Sequence, residues 1–394
     1  MSWTVRRLGL PALLLALAVT ADGGRVAVAR PLPAPLAVEA GAPHFVSAAA
    51  EPDRAQRSFQ GVPAVASVDG RLWVAFYGDD RIAEEGPGNF IVLKRSDDRG
   101  RSWSEVGYVV TDEPGMRALD PQLWRDPDGA LWLLFTTTRG VSDLRYGVYA
   151  LVIDKPGGDP DPKAMVVRRL ADAGIPGRPV LIGGRVLLPV DLRESPRSPL
   201  FPSGTGKWIY QLDYKRRSLT RVGRIPDTPD VLSFQETSLA PLSDGSVLAM
   251  FRTREGQYVS RSEGTDLNRW SPPERWAALP PNPETRARLI PLPDGTLAVA
   301  FNDDPRRRKR MTLALSTDGG RTLAKTQLLT GGAASYPDLT LDEHGTLIAV
   351  WDTGRATKRE IAGAFVSESA LSQGAARPER FVVDRQGASA PGEE

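Results

Sequence analysis

"VDGRLWVAF", residues 68–76, joins a tight turn to an apolar strand, and five similar segments follow it along the chain. These segments are "PDGALWLLF" (127–135), "IGGRVLLPV" (182–190), "SDGSVLAMF" (243–251), "PDGTLAVAF" (293–301) and "EHGTLIAVW" (343–351). Their second turn residues, 50 to 61 residues apart, are Gly70, Gly129, Gly184, Gly245, Gly295 and Gly345. A period of about 50 residues with Asp-Gly turns and almost no helical periodicity is typical of β-propellers. The sequence therefore predicts an all-β fold, a six-bladed β-propeller, closed by strands near His44 and Phe381 at the two ends of the chain.

Composition narrows the classes of partner. The chain has 394 residues, 41% of them hydrophobic, which is enough apolar material for a core. Lys and Arg number 50 against 48 Asp and Glu, so the net charge of +2 predicts no nucleic-acid partner. With no cysteine and only His44 and His344 as histidines, the sequence predicts no disulfide, no metal site and no cofactor.

The amino terminus has the form of a secretory signal peptide. Arg6 and Arg7 precede an apolar run from Leu8 to Val19, and small residues follow up to Ala29. The run is shorter than the ~20 apolar residues of a membrane span, so we expect a secreted or periplasmic monomer without a membrane span. The predicted boundaries are residues 1–29 for the signal peptide, 30–43 for a Pro/Ala-rich linker, 44–384 for the propeller and 385–394 for a disordered tail.

A second motif recurs where the two outer strands of a blade should meet. It reads "SDDRGRSW" at Ser96–Trp103, "STDGGRTL" at Ser316–Leu323 and, in a damaged form, "SEGTDLNRW" at residues 262–270. Asp and Ser side chains can bond backbone N–H groups across such a turn, Gly allows positive φ, and Trp covers the blade edge. The ligand spacing of a calcium loop is missing. We interpret the motif as a structural turn on the outer rim, away from any site.

Two sets of positions in the repeat should meet at the mouth of the central funnel, a concave place suited to ligands. Nine residues before each turn glycine, where the innermost strand starts, stand Gly61, Asp120, Ile175, Glu236, Arg286 and Tyr336. Seven residues after it, where the second strand ends, stand Tyr77, Thr136, Asp191, Arg252, Asn302 and Asp352. This polar mouth predicts a binding site, with substrate contacts from Asp120, Asp191, Arg286, Asn302 and Asp352.

The turn motif Ser-x-Asp-x-Gly-x-Thr/Ser-Trp resembles the Asp-box of the sialidase (neuraminidase) superfamily, whose members are six-bladed propellers. The resemblance runs from about Ser58 to Val366 and implies a sialidase-type propeller with a glycan substrate. "SYPDLTLDEHGTLIAVWD" is similar to the family's segment with a nucleophilic tyrosine and a carboxylate, here Tyr336 and Asp352. "QETSLAPLSDGSVLAMFR" is similar to the segment with the tyrosine's partner glutamate and a carboxylate-binding arginine, here Glu236 and Arg252.

Other segments extend the resemblance around the funnel. "RRRKRMTLALS" lies where the family places another carboxylate-binding arginine, which implies Arg308, with Arg310 as the alternative. "GIPGRPVLIGGRVLLPVDLRE" and "PPNPETRARLIPL" are similar to segments of bacterial sialidase-like proteins that lack the Arg-Ile-Pro motif. This similarity implies that Asp191, Asn282 and Arg286 face the funnel, where they could recognise sugar hydroxyls.

The sequence departs from the family's pattern at two places. The first blade of sialidases begins with Arg-Ile-Pro, whereas "QGVPAV" has Gly61 in place of the arginine, and Arg57 or Arg81 could substitute for it. The family's acid/base aspartate lies in the loop before the strand that leads into an Asp-box. Counting back from "IVLKR" gives Glu85, in "RIAEEGPGNF". The alternatives in this loop are Asp79 and Asp80.

The chemistry of an acidic sugar explains these residue types. Sialic acid carries a carboxylate on its anomeric carbon, which would repel a carboxylate nucleophile, and tyrosine is the sialidase exception among glycosidases. A phenol needs a base within hydrogen-bond reach, and arginines bind a carboxylate with forked hydrogen bonds. The resemblance therefore implies an exported glycoside hydrolase of exo-sialidase type acting on terminal acidic sugars. A polysaccharide lyase on uronate-containing glycans, which needs a base but no nucleophile, and a non-catalytic glycan-binding propeller are the alternatives.

Overall fold

The computed structural model describes residues 42–139, 147–171, 174–192, 206–228, 236–281, 284–367, 371 and 378–387, which lie in one compact unit. The chain forms six antiparallel sheets, and the innermost strand of each sheet contacts the innermost strands of the sheets on either side. The sixth sheet contacts the first, so the sheets close into a ring. This confirms the predicted all-β, six-bladed propeller.

The first three blades contain strands β1 to β14, numbered along the chain. Blade 1 has β1 (His44–Ser47), β2 (Phe59–Val68), β3 (Arg71–Asp79), β4 (Phe90–Ser96) and β5 (Ser104–Val110). Blade 2 has β6 (Met116–Arg125), β7 (Leu131–Arg139), β8 (Val148–Ile153) and β9 (Val167–Ala171). Blade 3 has β10 (Ile175–Pro176), β11 (Val180–Ile182), β12 (Arg185–Leu192), β13 (Gly206–Asp213) and β14 (Ser218–Ile225).

The last three blades contain strands β15 to β27. Blade 4 has β15 (Ser238–Pro241), β16 (Val247–Thr253), β17 (Gly256–Glu263), β18 (Asp266–Trp270) and β19 (Glu274–Arg275). Blade 5 has β20 (Arg288–Pro291), β21 (Leu297–Asn302), β22 (Lys309–Ser316) and β23 (Ala324–Ala333). Blade 6 has β24 (Ser335–Leu341), β25 (Leu347–Thr353), β26 (Glu360–Val366) and β27 (Glu379–Arg385). In the described residues, no helix is long and apolar enough to cross a membrane.

The repeated turn joins the first two main strands of each blade, and its glycine has positive φ in all six copies. In blade 1, Val68 pairs with Arg71 across Asp69 (φ 51°) and Gly70 (φ 75°), which is the geometry of a type I′ hairpin turn. A Cβ on Gly245, in blade 4, would meet no atom within 4 Å. Backbone conformation rather than space therefore selects glycine there.

The second strand of each blade is buried on both faces because neighbouring blades cover it on either side. β3, β16 and β25 are almost wholly buried along their length. Trp73, Trp132 and Trp351, one from the second strand of three different blades, are all 0% exposed. This double coverage explains why the repeats read as unbroken apolar runs instead of alternating polar and apolar residues.

The two complete Asp-box motifs are hairpin turns between the third and fourth main strands of blades 1 and 5, as predicted. Asp98 Oδ1 accepts hydrogen bonds from Ser96 Oγ at 2.9 Å and from Ser102 N at 2.8 Å. Ser96 Oγ accepts from Gly100 N at 2.8 Å. The same bonds form around Asp318 in blade 5. Because Ser96 pairs with Leu72, the motif lies at the end of the blade opposite the funnel mouth.

Blade 1, near the start of the chain, and blade 6, near its end, meet through side-chain contacts that close the ring of blades. The strands expected near the two ends both form, but on separate blades: β1 pairs with β5 in blade 1, and β27 pairs with β26 in blade 6. Asp384 on β27 accepts a hydrogen bond from Arg57 at 2.7 Å and forms an ion pair with Lys94. Trp103 of the Asp-box stacks on Phe381, with ring centroids 6.0 Å apart. Blades 1 and 6 therefore meet through ion pairs and stacked rings.

We expect the substitution Asp98→Ala to lower the melting temperature by a few degrees at neutral pH. Hydrogen bonds from Ser102 hold the pKa of Asp98 at about 2, below the ~3.9 of an unfolded aspartate. A depressed carboxyl pKa stabilises the fold above pH ~4, and that stabilisation is lost as pH falls through about 2. Melting curves should therefore converge for variant and parent at low pH.

The matched control for this substitution is Asp97→Ala, which removes a half-exposed carboxylate that forms surface ion pairs with Arg71 and Arg95. We expect a smaller loss of stability for the control, and unchanged function per folded molecule for both variants. Loss of function without loss of stability in Asp98→Ala would contradict the structural interpretation of the motif.

Candidate active site

Each blade places one residue with left-handed backbone at the funnel end of its innermost strand. These residues and their φ angles are Val62 (55°), Asp120 (52°), Gly174 (114°), Glu236 (47°), Glu284 (41°) and Tyr336 (49°). Residues other than glycine adopt this conformation under strain, and such strain concentrates at functional sites. In blades 1, 2 and 6 the register between the first two main strands shifts at the same place, as in a β-bulge. The repeat pattern gives the positions of these residues but no sign of their conformation.

Buried carboxylates at the ends of second strands hold the backbone of the following blade. Asp352, at the end of β25, accepts a hydrogen bond from Val62 N at 2.8 Å. Asp191, at the end of β12, accepts from N and Oγ1 of Thr237, both at 2.7 Å. Burial raises the pKa of Asp191 to about 6, against the bonds from Thr237. Each carboxylate is therefore used to fix the place where the next innermost strand begins.

Asn302 has the same role between blades 5 and 6. Its amide donates to the carbonyl oxygens of Lys309 and Ala334, both at 2.9 Å. Ala334 lies two residues before Tyr336, at the start of blade 6. We predicted substrate contacts for Asn302, Asp191 and Asp352, whose exposed fractions are 0, 6 and 1%. All three side chains bind protein groups next to the funnel, and their contact with substrate stays a prediction.

Tyr336 lies at the centre of a ring of guanidinium groups. Arg252 Nη1 donates a hydrogen bond to the phenol oxygen at 2.8 Å, and the tyrosine is only 8% exposed. The distances from guanidinium carbon to the centre of the tyrosine ring are 4.1 Å for Arg355, 5.2 Å for Arg308, 5.7 Å for Arg286 and 5.9 Å for Arg252. Four positive charges around one phenol make a site suited to an anionic ligand.

Glu236 reaches Tyr336 through Arg252. Glu236 Oε2 lies 3.1 Å from Arg252 Nη1, the same nitrogen that donates to the tyrosine oxygen. In the part of the chain that the structure describes, Glu236 Oε2 is buried and has no hydrogen-bond donor. The direct Tyr336–Glu236 bond that we expected is replaced by this bridge. Burial would lower the pKa of Arg252, but the charges of Glu236 and Tyr336 raise it above the usual value.

Asp120 is a buried carboxyl beside Glu236. Burial, and after it the charge of Glu236, raise the pKa of Asp120 to about 7, while Arg286 opposes this shift. A carboxyl with this pKa is partly protonated at neutral pH, which limits the negative charge next to Glu236. Any contact between Asp120 and substrate would be made from a side chain that is 7% exposed.

Three acidic residues near the end of β3 were candidates for the acid: Asp79, Asp80 and Glu85. Of these, Glu85 contacts an arginine that packs on Tyr336. Its Oε1 accepts from Arg117 Nη1 at 3.0 Å, and its Oε2 lies 3.8 Å from Arg355 Nη1. Asp79 instead accepts backbone hydrogen bonds within its own turn, and Asp80 pairs with Arg54 and Arg81. Buried Arg117 was not singled out in the sequence, where it lies inside an apolar strand.

The contacts of Arg308 and Arg310 show which of the two lies at the site. Arg308 Nη2 donates to the carbonyl oxygen of Glu284 at 2.8 Å, and Arg252 donates to the same oxygen at 3.2 Å. Arg310 is an exposed residue of β22 that bonds Asp303. The position chosen from the sequence, Arg308, is therefore the one beside the tyrosine. Asn282 lies outside the described residues.

Arg355 is a second residue of the site, besides Arg117, that the sequence did not predict. It stands in the turn after β25, three residues beyond Asp352, and its Nε donates to Asp352 Oδ2 at 3.0 Å. Neither arginine considered as a substitute at Gly61 lies there, since Arg57 pairs with Asp384 at the blade junction and Arg81 is an exposed arginine paired with Asp80. An arginine shortly after a predicted funnel carboxylate was the available signal.

We expect Asp120→Asn to stabilise the protein progressively as pH rises. Between its unfolded pKa of ~3.9 and its folded pKa of about 7, this acid is ionised in the unfolded chain but still protonated in the fold, so stability is lost as pH rises through this range. Asparagine removes that cost. The melting temperature of the variant relative to the parent should therefore increase from about pH 4 to about pH 7 and stay constant above it. Exposed Glu84→Gln is the control, and a pH-independent difference for Asp120→Asn would show that its ionisation is unperturbed.

Comparison with known proteins identifies one family and several solved structures of similar fold. Residues 70–349 match the model of the BNR repeat-like domain. A Hadza microbial sialidase is similar in fold, with a TM-score of 0.62 and 16% identity, over 79% of this chain and 66% of that one. The NanB sialidase of Streptococcus pneumoniae has a TM-score of 0.58 and 10% identity, over 76% and 66%. Trypanosoma rangeli sialidase, in complex with sialic acid, has a TM-score of 0.54 and 11% identity, over 77% and 52%.

The chain spans at most about two thirds of the length of these three sialidases, and identities this low establish the fold alone. No curated protein matches the chain. The family match, however, covers most of the chain and includes all six turn glycines, from Gly70 to Gly345. The chain belongs to the BNR repeat-like domain family and has a six-bladed propeller that is similar in fold to these sialidases.

Proposed function

We propose that the protein is an exported glycoside hydrolase of exo-sialidase type that acts on terminal acidic sugars. The observation that carries this proposal is the phenol oxygen of Tyr336, 2.8 Å from Arg252 Nη1, which also lies 3.1 Å from buried Glu236. The amino-terminal sequence supports export, and the likeness to sialidases supports the choice of substrate class.

The arginines favour an acidic sugar over a neutral one. Arg252, Arg286 and Arg308 place positive charge beside Tyr336, and forked hydrogen bonds from guanidinium groups suit a carboxylate. A carboxylate on the anomeric carbon would repel an aspartate or glutamate nucleophile. A neutral phenol approaches the same carbon without this repulsion.

Glu236 would serve as the base for Tyr336. This step requires the tyrosine oxygen and Glu236, which both lie next to Arg252 Nη1, to come into direct contact when substrate binds. The tyrosine oxygen then attacks the anomeric carbon, its proton passes to Glu236, and the bond from that carbon to the leaving oxygen breaks. Glu236 Oε2 has no hydrogen-bond donor in the described residues, so it has an acceptor position to offer the proton. Arg252 Nη1 lies close to both oxygens and would stabilise negative charge on either one.

Glu85 would serve as the acid that protonates the leaving oxygen. Its side chain is 36% exposed at the edge of the site, whereas Asp120 is buried beside Glu236. In the second step a water molecule attacks the anomeric carbon, Glu85 takes its proton, and the tyrosine oxygen leaves and recovers its proton from Glu236. Protons and bonds balance over the two steps.

Tyr336→Phe tests the nucleophile. We expect it to reduce turnover of an aryl sialoside by roughly 10³-fold or more, while the affinity for sialic acid changes little, because only the phenol oxygen is removed. Release of the aryl group and calorimetric binding measure the two quantities. Tyr258→Phe is the matched control, since Tyr258 bonds Glu255 outside the site.

The same variant separates the competing functions. Unchanged turnover in Tyr336→Phe would exclude the proposed nucleophile. A glycan-binding propeller would show affinity but no turnover in the parent protein. A lyase would generate absorbance from an unsaturated sugar when the parent is given a uronate polymer, and Tyr336→Phe would stop that signal.

A further inference from the structure

Arg355 is the arginine nearest to the face of Tyr336, and it comes from an unexpected part of the fold. It belongs to the turn after β25 in blade 6, and its guanidinium carbon lies 4.1 Å from the centre of the tyrosine ring. Asp352 accepts from its Nε at 3.0 Å, and Glu85 Oε2 lies 3.8 Å from its Nη1. Two carboxylates from different blades therefore fix the plane of this guanidinium.

Gly61 on β2 provides the space for this side chain. A Cβ at position 61 would lie 2.8 Å from Arg355 Nε, 2.9 Å from Arg355 Cδ and 3.0 Å from Asp352 Oδ2. Gly61 is not among the residues with positive φ, so its backbone conformation would accept other residues. Glycine is required there because Arg355 already fills the volume of a side chain.

One donor of Arg355 is left over. Arg355 Nη2 is buried and has no hydrogen-bond partner among the residues that the structure describes. A buried charged donor without an acceptor costs free energy, and a ligand oxygen at this position would satisfy it. The guanidinium is thus held on two sides by protein carboxylates and has a donor remaining beside Tyr336.

We propose that Arg355 binds the substrate carboxylate in place of the arginine that sialidases carry in blade 1. Blade 6 supplies the charge, and Gly61 in blade 1 makes room for it. This inference rests on the proposed acidic-sugar substrate and adds the residue that recognises its carboxylate. It also predicts that substrate draws Arg355 away from Glu85, which would free that carboxyl from one of its two cationic neighbours.

The experiment compares binding of free sialic acid with binding of its methyl ester, measured by calorimetry on the full chain. Arg355→Ala should weaken binding of the free acid by roughly 10²-fold and should leave the affinity for the ester nearly unchanged. Arg355→Lys, which keeps the charge but loses the fork, should give an intermediate value. Arg254→Ala is the matched control, because Arg254 is an exposed arginine on the nearby turn after β16.

Gly61 provides two further arms. Gly61→Ala removes no charge, but its methyl group would displace Arg355, so it should weaken binding of the acid in the same direction. Gly331→Ala is its control, since a Cβ there would meet nothing within 4 Å. The double variant Gly61→Arg with Arg355→Ala returns an arginine to blade 1 and should recover at least about 10-fold of the lost affinity.

The outcomes distinguish this inference from the proposed function. If the parent discriminates acid from ester and hydrolyses sialosides, but Arg355→Ala behaves like the parent, the role of Arg355 is wrong and the function stands. Equal weakening of acid and ester would show a purely structural role and would also overturn the inference. If the parent binds no acidic sugar and cleaves none, the proposed function and the role of Arg355 both fall.

Discussion

The site depends on one constraint, the pairing of a buried polar side chain at the end of one blade with backbone groups at the start of the next. Asp352 holds Val62 N and Asp191 holds Thr237 N, each across a junction between blades. A buried carboxylate needs donors, and a bulged strand with left-handed backbone has amides that are free from the sheet ladder. The free amides of the bulged strand supply the donors that the buried carboxylate needs, so the strained conformation and the buried charge stabilise each other. The side chains of Glu236 and Tyr336 are directed by this arrangement.

Charge balance then determines what the funnel can bind. Arg252, Arg286, Arg308 and Arg355 surround one phenol. Glu236 and Glu85 each lie within 4 Å of one of these arginines. Glu85 bridges Arg117 and Arg355, while protonation of Asp120 removes part of the negative charge beside Glu236. The positive charges of the arginines therefore face the ligand, while most of the nearby carboxylates pair with arginines or are partly protonated. Buried arginines remain tolerable only with such supports, since an unpaired buried charge is costly.

The repeat could be predicted from the sequence because it follows local rules. A turn that needs positive φ favours glycine, and a strand that is covered on both faces favours an apolar run. The side chains of an Asp-box form hydrogen bonds within the same turn. Position within the repeat also located Glu236, Arg252 and Tyr336. What position could not give is the direction of a polar side chain. Asp191 and Asn302 stand at the funnel, as expected, yet bind backbone of the next blade, because that depends on contacts between distant parts of the chain.

Arg355 shows why a motif can be lost while the charge it supplied remains. Six equivalent strand ends converge on one axis, so a guanidinium can reach the same volume from a strand in one blade or from a turn in its neighbour. An arginine at position 61 and Arg355 cannot both be present, because their side chains would occupy the same space. Glycine at position 61 is the sequence feature that results. The carboxylate of Asp352 serves either arrangement, since it faces both Val62 and Arg355. A glycine where a charged residue is expected at such a mouth is therefore a reason to search the adjacent blade for the charge.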